Sequence, residues 1–270
     1  MRVPFVKMHG LGNDFIVLDA RANAVPPIST ALAAALADRQ TGIGCDQLIL
    51  LEPSGSADLR MRIFNHDGGE VEACGNAARA VGLLLGKPAQ IETLGGLLSV
   101  DPADSGVSVE LPAPRFEWDQ IPLAYPMDTH HMPVAWDILD IPTAVNVGNP
   151  HIVFFVPDCS VVELDRLGPE IEHDPLFPER INVNVATVES RSRIRLRVWE
   201  RGVGETRACG TGACATAIGA MRRGLVDRTV TVALPGGALV IEWTGQGTIR
   251  MTGPAAESFR GDFDPADYAA

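Results

Sequence analysis

The sequence predicts an α+β fold of two structurally similar lobes, each a mostly antiparallel β-sheet or barrel wrapped round a central buried helix. Three observations predict it. The first is an internal duplication in a chain of 270 residues. Arg62-Ile-Phe-Asn-His-Asp-Gly-Gly-Glu-Val-Glu-Ala-Cys74-Gly75 aligns without a gap on Arg197-Val-Trp-Glu-Arg-Gly-Val-Gly-Glu-Thr-Arg-Ala-Cys209-Gly210. The shared positions are Arg62/Arg197, Gly69/Gly204, Glu70/Glu205, Ala73/Ala208, Cys74/Cys209 and Gly75/Gly210, at an offset of 209 − 74 = 135, half the chain. Leu11-Gly12-Asn13-Asp14-Phe15-Ile16-Val17 likewise matches Val147-Gly148-Asn149-Pro150-His151-Ile152-Val153. The second observation is a series of short or alternating apolar runs bounded by Gly, Pro and Asp, which is a strand pattern. The third is a stretch that is apolar nearly all round after each paired cysteine; a helix without a polar face is buried.

Taken in order, strands are expected at Phe15–Asp19, Gln47–Leu51, Leu59–Phe64 and Gly106–Leu111 in the first half. Those of the second half are expected at Ile152–Val156, Ile194–Trp199, Thr229–Leu234 and Ala238–Trp243. Ser29 can cap a helix over Thr30–Gln40, and Val161–Ile171 reads as another. The two buried helices span Gly75–Leu85 and Gly210–Arg222, with Gly86 and Gly224 as stops. The proline-rich stretch Pro112–Pro133 reads as the linker, dividing the chain into lobes 1–117 and 118–270, with the last strand free to cross back to the first lobe.

The formal charge of −12 argues against nucleic acid or an anionic membrane as partner, since both demand basic patches. No apolar run approaches the roughly 18 residues needed to span a bilayer. The first residues lack the apolar core of a signal peptide. Five cysteines, an odd number, suit free thiols in a reducing compartment, so a cytoplasmic location is expected.

Cys45, Cys159 and Cys214 read as small buried residues, the commonest fate of a free cysteine. Cys74 and Cys209 do not. Each precedes a Gly at a predicted helix N-terminus, where the dipole and orphan N–H groups lower a thiol pKa from about 8.5 toward neutrality and can hold a carboxylate. A thiolate beside a carboxylate-binding nest suits deprotonation of a carbon next to a carboxylate. Zinc is disfavoured because Cys209 and Cys214 lie within one helix with no matching ligand pair, and no Cys-x-x-Cys redox motif is present. A hydrolytic cysteine would be single and paired with a histidine, whereas here the thiol itself is duplicated. Pyridoxal phosphate needs a Schiff-base lysine. The chain has Lys7 and Lys87, and neither sits in the duplicated motifs.

Six ordered motifs resemble the diaminopimelate epimerase family over nearly the whole chain. They are Met8-His9-Gly10-Leu11-Gly12-Asn13-Asp14-Phe15, Gly42-Ile-Gly-Cys-Asp-Gln47, Ala73-Cys74-Gly75-Asn76, Gly148-Asn149-Pro150-His151, Pro178-Glu179-Arg180-Ile181-Asn182 and Glu200-Arg201-Gly202 with Ala208-Cys209-Gly210-Thr211-Gly212. Two positions depart from the family pattern, His66 where a small residue is usual and Ala77 where glycine is common, without touching the matched functional positions.

The resemblance implies a cofactor-independent epimerase interconverting LL- and meso-2,6-diaminopimelate for lysine and peptidoglycan synthesis, with no metal, and a homodimer. It implies that Cys74 and Cys209 exchange the α-proton from opposite faces, Cys74 serving the LL direction. The amides of Gly75, Asn76, Gly210 and Thr211 are implied to hold the α-carboxylate. Glu200 and Arg201, opposite Asn65 and His66 in the alignment, are implied to recognise the unreactive end, Glu200 an ammonium and Arg201 a carboxylate. Asn13, Gln47, Asn65, Asn149 and Asn182 fill the remaining hydrogen-bonding positions. His151 fits either a polar partner of the thiols or a core histidine. Glu70 and Glu205 fit a brace for the turns before the thiols or a purely structural role. Two rivals stand beside this reading: a proline or hydroxyproline racemase-type enzyme, and a two-lobed, non-catalytic amino-acid binder.

Overall fold

The computed structural model describes residues 2–72 and 74–268; Ala73, shared by both copies of the repeat, lies outside them. The chain runs β1 (Val3–Gly10), β2 (Asn13–Asp19), α1 (Thr30–Ala37), β3 (Gln47–Glu52), β4 (Leu59–Asn65), β5 (Glu70–Val71) and α2 (Gly75–Leu85). It continues through β6 (Ala89–Thr93), β7 (Gly96–Ala103), β8 (Gly106–Leu111), β9 (Ala135–Trp136), β10 (Leu139–Asp140), β11 (Thr143–Asn146) and β12 (Pro150–Phe155). Then follow α3 (Leu164–Glu172), β13 (Asn182–Ser190), β14 (Arg193–Glu200), β15 (Gly204–Thr206) and α4 (Gly210–Arg222). The last strands are β16 (Thr229–Leu234), β17 (Gly237–Glu242), β18 (Ile249–Gly253) and β19 (Ala256–Phe263). Two compact units result, Met1–Val109 with Gly253–Ala270, and Glu110–Thr252.

The duplication is written into the pairing of the strands. In the first unit β1 and β2 are antiparallel, β2 and β3 parallel, β3 and β4 antiparallel, β4 and β5 antiparallel, β4 and β6 parallel, and β6 and β7 antiparallel. In the second unit β11 to β17 repeat that series step for step. The fold is therefore α+β and mostly antiparallel, as expected, with two parallel joins per unit.

In each unit the apolar helix packs within the sheet. In the first, α2 lies against β1, β6 and β7, while α1 covers β3 and β4 from elsewhere. Strand β3 is consequently buried at four successive positions, Leu48 to Leu51, because both of its faces are covered. In the second, α4 packs on β11, β12, β13 and β17. Both helices keep the predicted bounds. Gly86 ends α2 in the left-handed conformation at φ 65°, the conformation glycine adopts without strain. At the end of α4, Gly224 N–H donates to Met221 O and Leu225 N–H to Ala220 O, a Schellman motif.

Three expectations are corrected. Helix α1 stops at Ala37 rather than Gln40, because the Asp38 carboxylate accepts the N–H groups of Gln40 and Thr41 and turns the chain. The expected helix over Val161–Ile171 is a 3-10 turn at Cys159–Val161 followed by α3. The stretch Pro112–Pro133 is not a free linker: Ile121, Leu123 and Met132 are buried in the core of the second unit with Trp136, Phe154 and Leu167.

Candidate active site

The first unit gathers its predicted residues at one end of its sheet. Strand β2 starts at Asn13, the parallel β3 starts at Gln47, and the antiparallel β4 ends at Asn65. Gln47 and Asn65 face each other across the ladder, and Gln47 Nε2 donates to Asn65 Oδ1 at 3.0 Å. Asn65 closes a hairpin with Gly69, whose carbonyl accepts the Asn65 N–H at 2.8 Å. His66 is exposed on that hairpin. Beyond it Cys74 is the N-cap of α2, with extended backbone at φ −145°. Its Sγ accepts the Ala77 N–H at 3.5 Å and lies 3.9 Å from Asn13 Oδ1. Asn76, buried in the first turn, donates from Nδ2 to the same Asn13 oxygen at 3.2 Å.

The second unit repeats the device with different neighbours. Cys209 is the N-cap of α4, and its Sγ accepts the Gly212 N–H at 3.3 Å and lies 3.5 Å from Thr211 Oγ1. In both units, first-turn amides such as those of Gly75 and Gly210 have no carbonyl within the helix to bond, so the geometry suits an anion. Arg62 braces the first hairpin by a bidentate pair with Glu70, at 2.8 Å from both Nε and Nη2. Arg197 makes the same pair with Glu205 at 2.8 and 3.0 Å. The four identical residues of the repeat thus brace the β-hairpins that deliver the two thiols.

Helix capping alone suggested that both thiols would be acidic. For Cys209 this is corrected: burial, and then the negative charge of Glu200, push the thiol well above its ordinary value, outweighing the Thr211 and Gly212 hydrogen bonds. Cys209 therefore rests as a protonated thiol. Glu200 is held by Thr206, whose hydroxyl donates to Oε1 at 2.5 Å.

His151 is wholly buried, and desolvation drives its pKa down to about 3, so its ring is neutral. Asn184 Nδ2 lies 3.1 Å from His151 Nδ1 and also donates to Ile152 O. An amide nitrogen only donates, so Nδ1 accepts and Nε2 carries the proton toward Asn149 Oδ1, 2.9 Å away. His151 is therefore a buried orienting residue for Asn149. Asn182 donates to Pro150 O at 2.8 Å and accepts the backbone N–H of Arg201 at 2.9 Å. The Arg201 side chain is exposed, with Nη1 donating to Glu179 O at 2.9 Å.

Two residues of this site were not anticipated. Asn184 orients His151, and its Oδ1 sits so close to α4 that a Cβ on Gly212 would meet it at 2.7 Å. Glu172, only 2% exposed at the end of α3, accepts from Trp199 Nε1 at 2.7 Å and Gly202 N–H at 2.9 Å, clamping the turn that carries Glu200 and Arg201. The alternation Asn182-Val183-Asn184-Val185 was the available signal for Asn184, with two buried amides on one strand face. Among the described residues no three His, Cys, Asp or Glu side chains are grouped to hold a metal ion.

The fold, over nearly the whole chain, is that of a class of two-unit epimerases and PhzF-type proteins. A hydroxyproline epimerase from Agrobacterium vitis superposes with a TM-score of 0.68 at 15% identity, covering 98% of this chain and 93% of that one. A PhzF-family phenazine biosynthesis protein from Enterococcus faecalis gives 0.73 at 14% identity, covering 98% and 100%. Sequence narrows the class. The profile of the diaminopimelate epimerase family matches residues 5–116 and 143–257. The diaminopimelate epimerase of Erythrobacter litoralis is 66% identical over the full length of both chains. That of Rhizorhabdus wittichii is 66% identical over 100% of this chain and 98% of its own. The chain belongs to the diaminopimelate epimerase family.

Proposed function

We propose that this protein interconverts LL- and meso-2,6-diaminopimelate without a cofactor, supplying lysine and peptidoglycan precursors in the cytoplasm as a homodimer. The observation that carries the reading is the pair of N-capping thiols, Cys74 and Cys209, in equivalent places of the two units but with unlike neighbours. One inverted centre needs a base on one face and an acid on the other. In the LL direction the Cys74 thiolate takes the α-proton, and the electron pair left on carbon spreads into the α-carboxylate. First-turn amides of Gly75, Asn76, Gly210 and Thr211 stabilise that charge. The Cys209 thiol then delivers its proton to the opposite face, leaving Cys74 protonated and Cys209 as thiolate. The reverse reaction exchanges the roles, so the two thiols share one proton and titrate as a coupled pair.

The difference between Asn65 and Glu200 favours a long substrate with one reacting end. The exposed guanidinium of Arg201 suits a distal carboxylate and Glu200 an ammonium. Proline, with one carboxylate and a ring, gives neither group a partner. The test is proton NMR of LL-diaminopimelate in D2O with reduced enzyme and nothing added. Loss of one α-proton signal with growth of the meso isomer is expected. Exchange with proline alone would overturn the substrate, and no exchange with either would favour a binding protein.

A further inference from the structure

Asn13 lies at the centre of a hydrogen-bonded chain whose two ends are charged. Buried Arg79, on α2, donates from Nη2 to Asn76 Oδ1 at 2.7 Å. Asn76 Nδ2 donates to Asn13 Oδ1 at 3.2 Å, and Asn13 Nδ2 donates to Asp46 Oδ2 at 3.0 Å. A guanidinium can only donate and an ionised carboxylate can only accept. The two ends therefore force the same direction on both amides. Turning either Asn over would set N–H against N–H at one junction and oxygen against oxygen at another.

We propose that Asp46 and Arg79 are positioning residues that lock Asn13 with its carbonyl oxygen, not its amide nitrogen, toward the sulfur of Cys74. An amide oxygen facing sulfur accepts from the S–H of the thiol and repels the thiolate. The Ala77 N–H, 3.5 Å from the same sulfur, does the opposite. Fixing Asn13 this way keeps Cys74 ready to hold the proton it has just taken. It therefore deepens the two-thiol reading and rests on it for its catalytic meaning.

Asp46 is itself built in. Its Oδ2 accepts the Asp14 N–H at 3.0 Å, its Oδ1 accepts from Arg39 Nη2 at 2.7 Å, and its own N–H donates to Asp14 Oδ1 at 3.1 Å. Lys7 on β1 donates to Asp14 Oδ2 at 2.5 Å. Among the described residues, the charged groups that these hydrogen bonds join to Asn13 are Lys7, Asp14, Arg39, Asp46 and Arg79.

The test reads Cys74 directly and needs no substrate. In a Cys209→Ala background, the rate of iodoacetamide alkylation of the Cys74 peptide is followed by mass spectrometry against pH. It is compared among the parent, Asp46→Ala, which leaves Asn13 no acceptor at that end, Arg79→Gln and the double variant, each checked by thermal melting. Loss of the anion alone lowers the thiol midpoint and loss of the cation alone raises it, so plain electrostatics predicts that the double variant shows the sum. Orientation predicts more. Only the double variant frees both ends and lets Asn13 turn its N–H to sulfur, so its midpoint should fall below that sum by about half a pH unit or more. Additivity in folded variants overturns the proposal. Should the double variant not fold, Asn13→Ala decides. Its midpoint should fall because the oxygen that favours the thiol is gone, and an unchanged midpoint overturns the proposal. Failure of the unmodified enzyme to epimerise diaminopimelate would strike the substrate reading and leave this result standing.

Discussion

Cysteine 209 shows how a neighbour can reverse what local structure alone dictates. Its position at a helix N-terminus is the usual recipe for an acidic thiol, yet burial and the Glu200 carboxylate hold the proton on. The consequence for pH dependence has a definite sign. Under the proposed assignment Cys209 must carry a proton to give in the LL to meso direction, so turnover is expected to fall as pH rises through its raised pKa. Replacing Glu200 by Gln removes the charge but not the burial. The alkaline limb of kcat should move down by about one pH unit while staying above the ordinary thiol range. The pH profile of the forward reaction checks this, and an unmoved limb would mean that Glu200 does not govern the thiol. Much at this scale was readable in advance. The two cysteines and the Asn65/Glu200 asymmetry come straight from the duplication, because identical neighbours mark shared duties and unlike ones mark the division of labour. The Glu200 effect was not readable, since it depends on a through-space approach between a strand end and a helix cap.

At the scale of elements, α2 and α4 have the bounds that the sequence predicts, because Cys-Gly starts and glycine stops are local signals. Strands β1, β13 and β19 were missed for different reasons. β1 carries Pro4 and ends at Gly10, both of which argue against a strand by composition. β13 contains Asn182 and Asn184, which read as turn residues yet are 3% and 0% exposed. β19 is polar and largely exposed, and only its antiparallel pairing with β1 makes it a strand. One close junction between elements sets Gly212 of α4 against Asn184 of β13. A Cβ at 2.7 Å from Asn184 Oδ1 cannot be accommodated without shifting one of them. Gly212→Ala should therefore displace the N-terminus that holds Cys209 and lower kcat by about tenfold to a hundredfold with the protein still folded. Steady-state kinetics with a circular dichroism melt checks it; wild-type kcat would show that the cap tolerates the shift.

At the scale of the whole molecule, the repeated series of strand pairings identifies each unit as a copy of one plan, but the first unit is not continuous in sequence. It is completed by Gly253–Ala270, whose strand pairs Val3 with Phe263. Phe263 is buried and packs against Phe5 and Tyr268, with ring centroids 6.5 and 5.7 Å away. A chain ended after Thr252 leaves β1 with an unpaired edge and that core with a gap. Such a chain should lose the cooperative melt of the first unit, whereas removal of a mere tail would leave the melt unchanged. Differential scanning calorimetry distinguishes the two. The sequence reading allowed the last strand to cross back to the first lobe, but hydrophobic pattern could not place that strand, because pairing across 260 positions leaves no local trace in a strand as polar as β19.

The same closure has a bearing on synthesis in the cell. About 250 residues separate β1 from its last partner, so at roughly 5–20 residues per second the ribosome delivers β19 some tens of seconds after β1 has emerged. The second unit, contiguous in sequence, can finish first. Throughout that wait the outer edge of β1 stays open to pairing with other nascent chains, which makes translation speed, and any chaperone that shields the edge, part of what sets the yield of native protein.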